Sequence, residues 1–244
     1  MTALLTMSGI TAGYVQDIDI LRNLSLSIEA GRITGLIGLN GAGKSTLMKT
    51  ICGFLAPTAG KVEFDGADIT AIPPHTLIDR GLWYIPQESS LFPYMSVEDN
   101  LRLPLEGKRR SQRGGDIESR FADALARFPA VEEKLRAQAG DLSGGQQKMV
   151  ELAKAWVVRP RLCLVDEPSI GLSPKIAAEV YRFIELFAAQ GMTILLVDHN
   201  VRRVVKMSEY IYVLSLGEIT AHGRREDFQG DLHEQVKSWL GVNF

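Results

Sequence analysis

Cysteine is scarce in this chain: Cys52 and Cys163 are the only two among 244 residues. Both lie among apolar neighbours, and neither belongs to a pair with metal-ligand spacing, so neither a disulfide framework nor a zinc site is expected. They read as small buried hydrophobes of a reduced, cytosolic chain. Long apolar runs are also missing, and none approaches a membrane span. The opening "MTALLTMSGITAGY" lacks the basic region and apolar core of a secretory signal. There is no charge excess, since 27 basic and 29 acidic residues leave a formal net charge of -2. A global electrostatic footprint for nucleic acid is therefore absent. No internal repeat is visible. What is present, 45% hydrophobic and 23% charged residues, is an ordinary globular mix that excludes whole-chain disorder. The length suits one large domain, or a core domain with an inserted subdomain.

The first part alternates short apolar runs with turn signals. "ILRNLSLSIEAG" and "KVEFDGADI" show period-two alternation broken by Gly31 and by Asp65-Gly66, and predict strands of an antiparallel sheet. "RITGLIG" reads as a buried strand running into a glycine-rich loop, with a helix in "KSTLMKTICGFL". The middle has a helical grain. "SVEDNLRLPL" places Ser96 at capping distance from Asp99, and "DIESRFADALARF" has helical spacing. "GKRRSQRGG" between them, at 107–115, reads as a solvated loop.

Strand and helix alternate again in the last third. "RLCLVDE" and "MTILLVDH" are continuous apolar strands. Between them Ser173-Pro174 predicts a cap with proline at the first helical position, and Ile176, Val180, Phe183, Ile184 and Phe187 fall on one helical face. Such alternation argues for a parallel sheet covered on both faces. "DLHEQVKSWLGVNF", with Leu232, Val236, Trp239 and Leu240 on one stripe, predicts a C-terminal helix packed on its own domain or against a second subunit.

"GLNGAGKST" at 38–46 matches G-x-x-x-x-G-K-[ST], between a predicted strand and a predicted helix. Glycines at 38, 41 and 43 let the main chain curl so that its N–H groups face phosphate oxygens. Asn40, Ala42 and Gly43 supply loop amides, Lys44 reaches the β- and γ-phosphates, Ser45 offers a hydroxyl to Mg²⁺, and Thr46 reaches the α-phosphate. The helix N-terminus adds favourable partial charge. At the end of "LCLVDE", Asp166 fits the second Mg²⁺ ligand. Strand twist at Glu167 is expected to free its carboxylate to polarise an attacking water. Gln87, at the end of the strand "WYIP", is a candidate contact to Mg²⁺ or water. His199, after "LLVD", is a candidate γ-phosphate contact, and Tyr14 a candidate to stack on a base; taken alone, Gln87 reads as a polar strand-end residue, His199 as structural, and Tyr14 as core or turn.

A second glycine-rich helix start lies in "DLSGGQQKM". Ser143 is a good N-cap and the helix after it carries Met149, Val150, Ala153, Trp156 and Val157 on one side. Two glycines in its first turn, Gly144 and Gly145, each cost about 1 kcal/mol relative to alanine. Bare N–H groups there suit an anion.

With these pieces in order the chain resembles the ATP-binding subunits of ABC transporters over essentially its whole length. The resemblance rests on Tyr14 as the aromatic loop residue, Walker A "GLNGAGKST", Gln87, the signature "LSGGQ", Walker B "LCLVDE" and switch His199. It implies an α/β fold in which a RecA-like P-loop NTPase core carries an antiparallel β-subdomain and an inserted α-helical subdomain. Residues 1–244 then form one ABC ATPase domain, with 89–157 as the helical insertion. It implies hydrolysis of ATP with Mg²⁺, with Lys44, Gln87, Glu167 and His199 as the catalytic set. Ser143, Gly144, Gly145 and Gln146 would close on the ATP of a second ATPase subunit, the same or a paralogous chain. Integral membrane permease subunits would be partners, one of their helices docking near Gln87 to Tyr94. The chain would then sit in the cytoplasm on the inner face of the cell membrane, with no nucleic-acid role.

Within the family, "LSGGQQKM", "DEPSIGLSPKI" and "TILLVDHN" are most similar to ATPases of branched-chain, hydrophobic amino-acid importers, which imply a periplasmic solute-binding protein as an indirect partner. "PQESSLF" and "VDHNVRRV" are also similar to the ATPase of lipopolysaccharide export. A soluble, non-transport ABC ATPase is a further alternative, but the long insertions usual in such proteins are not seen; a non-hydrolysing nucleotide-binding regulator is another, against which the full set of Gln87, Glu167 and His199 argues. One departure stands out: Ser173 occupies a position after Walker B where many members have aspartate.

Overall fold

The computed structural model describes residues 3–15, 17–70, 72–106 and 114–228. In chain order the elements are β1 (Ala3–Ala12), β2 (Leu21–Glu29), β3 (Ile33–Ile37), α1 (Lys44–Ile51), β4 (Ala59–Phe64), β5 (Ala67–Asp68), α2 (Pro74–Asp79), β6 (Leu82–Ile85), α3 (Val97–Glu106) and α4 (Gly114–Arg127). Then come α5 (Pro129–Glu132), α6 (Gly144–Val158), β7 (Leu162–Asp166), α7 (Pro174–Ala189), β8 (Thr193–Val197), α8 (Val201–Met207), β9 (Tyr210–Ser215) and β10 (Glu218–Arg224). They form two compact units. One holds the described residues up to Tyr84, Arg161–Glu167, and those from Gly191 onward; the other holds Ile85–Pro160 and Pro168–Gln190.

The first unit contains two sheets. A four-stranded sheet has the order β2-β1-β4-β5, and every pairing in it is antiparallel. β2 alternates buried and exposed residues, as its sequence predicts. The β4–β5 connection is the two-residue turn Asp65-Gly66, with φ of 53° and 76°, the primed geometry that twisted hairpins favour. The central strand, β1, was not legible as a strand. Its register shifts at three places, so its apolar residues do not keep a clean period of two.

The six-stranded sheet has the order β10-β9-β3-β8-β7-β6. β3 pairs in parallel with both β8 and β9, and β7 in parallel with β8. All residues of β3, β7 and β8 are buried, which is why they read as unbroken apolar runs. β10 pairs antiparallel with β9, so the sheet is mixed at that edge. Leu5, Ile28, Leu36, Leu47, Phe64 and Leu195 belong to one core that serves both sheets. Cys52 and Cys163 are buried and free, and burial pushes both thiols up.

In the second unit α6 packs with α3, α4, α5 and α7. Phe128 and Phe183 stack with centroids 4.1 Å apart, and the Trp156 indole donates to Asp123 Oδ2 at 2.8 Å. Two expectations change here. α6 does not bury one side only: every residue from Lys148 to Val158 is buried, polar ones included, because helices pack around it. Ser173 does stand at the N-cap of α7 with Pro174 behind it, but its side chain makes no capping hydrogen bond. The expected C-terminal helix at 231–244, and 107–113 of the basic loop, lie outside the described residues.

Candidate functional site

β3, β8 and β7 are neighbours, so the segments leaving their carboxyl ends meet at one edge of the sheet. The loop 38–43 leaves β3, Glu167 follows β7, and Asp198-His199 follow β8. That topology is what brings the sequence candidates of the first unit together.

The loop before α1 is shaped by close approach. A Cβ at Gly38 would stand 2.4 Å from the Leu214 carbonyl oxygen, so no other residue fits there. Gly43, with φ of 108°, is the residue before α1, and no side chain caps the helix. Its first-turn N–H groups remain for an incoming acceptor. Lys44 is buried and turns back, its ammonium donating to the carbonyls of Gly38 at 2.9 Å and Leu39 at 3.1 Å. Asn40, Gly41 and Ser45 are exposed, while Ala42 and Thr46 are buried.

Lys44 Nζ also lies 3.8 Å from Glu167 Oε1. Glu167 has a φ of 42°, a left-handed conformation that costs a non-glycine residue on the order of 1 kcal/mol or more. Its N–H still donates to Val197 O at 2.8 Å. A left-handed backbone, rather than strand twist, is thus what re-aims this carboxylate. Asp166 is buried; its Oδ2 accepts from the Tyr84 hydroxyl at 3.0 Å, whereas its Oδ1 has no hydrogen-bond partner among the described residues. Burial pushes its pKa above the ordinary carboxylate range, with the Glu167 charge acting the same way; Tyr84, Lys44 and Ser45 oppose the shift. An orphaned buried carboxylate oxygen beside a helix-start hydroxyl fits a divalent cation that takes few protein ligands. Among the described residues no cluster of three or more His, Cys, Asp or Glu offers a cation an all-protein cage.

His199 is 54% exposed at its side chain, and its Nδ1 lies 3.5 Å from the buried Asp198 carboxylate. Tyr14 is 52% exposed, with the Lys49 ammonium 5.2 Å from the ring centroid. Its ring therefore has a face open to solvent. Gln87 belongs to the second unit, exposed in a bend after β6. The Ser143 helix start is also in that unit and is closed by its own side chains. Ser143 Oγ accepts from Gln146 N–H at 3.4 Å, while Ser143 N–H donates to Gln146 Oε1 at 2.9 Å. Among the described residues a Cβ at Gly144 would meet nothing within 4 Å, whereas one at Gly145 would meet Ile176 Cγ2 at 3.1 Å.

A family model described as ABC transporter matches residues 21–170. The chain belongs to the ABC transporter family. Relatives include the high-affinity branched-chain amino acid transport ATP-binding protein BraG of Pseudomonas aeruginosa, 33% identical with 86% of this chain and 88% of that protein covered. The lipopolysaccharide export system ATP-binding protein LptB of Escherichia coli is also 33% identical, with 92% of each covered. A solved ATP-binding cassette of an ABC transporter, in its ADP conformation, is 28% identical, with a TM-score of 0.83 and all of both chains covered. A bacterial ABC transporter cassette solved as a dimer is 26% identical, with a TM-score of 0.79 and 91% of this chain and 98% of that one covered.

The fold is accordingly that of the ABC ATPases, and the activity is ATP hydrolysis coupled to transport. ATP-binding subunits of this family work as dimers with membrane permeases. No helix among the described residues is long and apolar enough to cross a membrane. Two groups of this ABC ATPase escaped the sequence reading. Tyr84 holds Asp166, and the one signal for it was a tyrosine in a strand leading to Gln87. The buried Lys148 and Glu151 of α6 were hidden because polar residues on a helix read as its solvated face.

Proposed function

We propose that the cluster at the ends of β3, β7 and β8 binds and cleaves ATP. The observation that carries this reading is the meeting, at one loop, of Lys44, Glu167 and an Asp166 oxygen that has no partner among the described residues. The amides of Asn40–Thr46 face the phosphates and Lys44 exchanges its loop carbonyls for β- and γ-oxygens. Tyr14 stacks on the base. Glu167 accepts a proton from, or orients, the attacking water, and His199 contacts the γ-phosphate. Ser45 and Asp166 would hold Mg²⁺, with Gln87 as a further ligand; bound there it would neutralise charge on the phosphate oxygens. Ser143, Gly144, Gly145 and Gln146 act on the ATP of a second subunit. Residues 89–157 form the helical insertion of a single domain, and the segment Gln87 to Tyr94 receives a permease helix on the inner face of the cell membrane.

The cargo reading is import of branched-chain or other hydrophobic amino acids, supported by the likeness to BraG. Export of lipopolysaccharide is the second reading, supported by the equal identity to LptB over more of the chain. Purifying the chain with its membrane partners, reconstituting them in vesicles and measuring ATP-driven uptake of leucine, isoleucine and valine separates the two. Uptake that stops in Glu167→Gln supports import. ATP-driven release of lipopolysaccharide without amino-acid uptake supports export, and ATP turnover with no membrane partner contradicts both.

A further inference from the structure

Lys148 and Glu151 lie three residues apart on α6, with side chains 9% and 2% exposed, and their charged atoms are 2.6 Å apart. Taking two charges out of water rarely stabilises a fold more than an apolar pair of the same size. What distinguishes this pair is where its other hydrogen bonds go. Lys148 Nζ donates to Pro86 O at 3.0 Å, and Glu151 Oε1 accepts from both the N–H and the hydroxyl of Ser90. Pro86 and Ser90 are the two feet of an exposed hoop, Gln87-Glu88-Ser89. The chain beyond is held the same way: Asn100, fully buried, accepts from Phe92 N–H and donates to Phe92 O. Gly140 N–H donates to Pro93 O and Ala139 N–H to Met95 O.

We infer that Lys148 and Glu151 are positioning residues that fasten the Gln87 hoop to α6. The hoop and the Ser143 end of that helix then move as one piece. Each pin has a required polarity. The Pro86 carbonyl needs a donor and the Ser90 N–H an acceptor, whereas the Ser90 hydroxyl can serve as either. An ion pair kept for stability alone has no such requirement. The catalytic consequence rests on the role proposed above for Gln87; the mechanical one does not.

The test uses the full chain in three forms: wild type, Lys148→Met/Glu151→Leu, and the exchanged pair Lys148→Glu/Glu151→Lys. Hydrogen exchange at residues 87–92 and steady-state ATP hydrolysis are both measured. The apolar pair is expected to keep its melting temperature and its KM for ATP. Its exchange at 87–92 should rise about tenfold and its kcat should fall by a similar factor. The exchanged pair restores opposite charges but reverses both pins, so hoop protection and kcat should stay low. Unchanged exchange at 87–92 in the apolar pair, or recovery of protection in the exchanged pair, overturns the inference. Faster exchange with full kcat would keep the mechanical link and overturn the proposed role of Gln87 instead.

Discussion

At Gly38–Thr46 the main chain is moulded by close approach and by a lysine folded back on its own loop. At Ser143–Gln146 a comparable glycine-led helix start is closed by its own side chains. The first leaves its N–H groups uncapped and gathers Lys44, Glu167 and Asp166 around them. The second has nothing of the kind: its partners are Ser143 and Gln146 themselves. On the function proposed above, the first is a site within one chain and the second is half of a site completed by another. Its two glycines also differ, since Gly145 is packed against Ile176 while Gly144 faces open space. Gly144 costs helix stability with no contact among the described residues that requires it, which the proposed closure on a second subunit would explain.

The largest expected effect lies at the first start. Glu167→Gln should bind ATP with little change and hydrolyse it roughly 10²–10⁴ times more slowly, the usual range for a lost general base; phosphate-release kinetics check this. Next come the glycines, in opposite directions. Gly38→Ala drives a methyl into the Leu214 carbonyl and should cost about 1–3 kcal/mol in denaturant unfolding. Gly144→Ala meets no atom of the described residues and should stabilise the isolated chain by up to about 1 kcal/mol while lowering ATPase activity. A fall in stability for Gly144→Ala would erase the contrast.

Smaller still, Gln146→Ala removes half of the capping box and should cost about 0.5–1 kcal/mol. The last effect concerns pH. Burial raises the pKa of Asp166 in the folded chain, so its contribution to stability is full below the ordinary carboxylate range and is lost as pH rises through the raised value. Wild type should therefore lose stability relative to Asp166→Asn as pH rises toward neutrality. Paired melts from acid to neutral pH check the sign.

The elements legible from residues alone are those with a single physical cause. β3, β7 and β8 are buried on both faces, and the P-loop pattern leaves little choice of backbone. β1 was hidden by bulges that break its period. β9 and β10 turn through Leu216 and Gly217, at φ of 47° and 86°, where leucine replaces the asparagine or aspartate that usually marks such a turn. At the site, residue types announced Asp166 and Glu167, but not the left-handed backbone that aims Glu167 or the Tyr84 hydroxyl that holds Asp166. Those depend on strands far apart in the chain. The polar interior of α6 was illegible for the same reason, since only packing shows that charged residues on a helix are buried.

The central claim is that the Ser143 start completes a site on another chain. It is tested most directly by mixing two inactive variants, Ser143→Arg and Glu167→Gln. Each alone should hydrolyse almost no ATP. In a mixed dimer, the Ser143→Arg subunit brings an intact Lys44 loop and Glu167, and its partner brings an intact signature. One of the two sites is then whole. Random pairing puts about half the dimers in this mixed form, so the mixture should regain about a quarter of wild-type ATPase activity. A mixture that pairs yet stays as inactive as its parts would contradict the account.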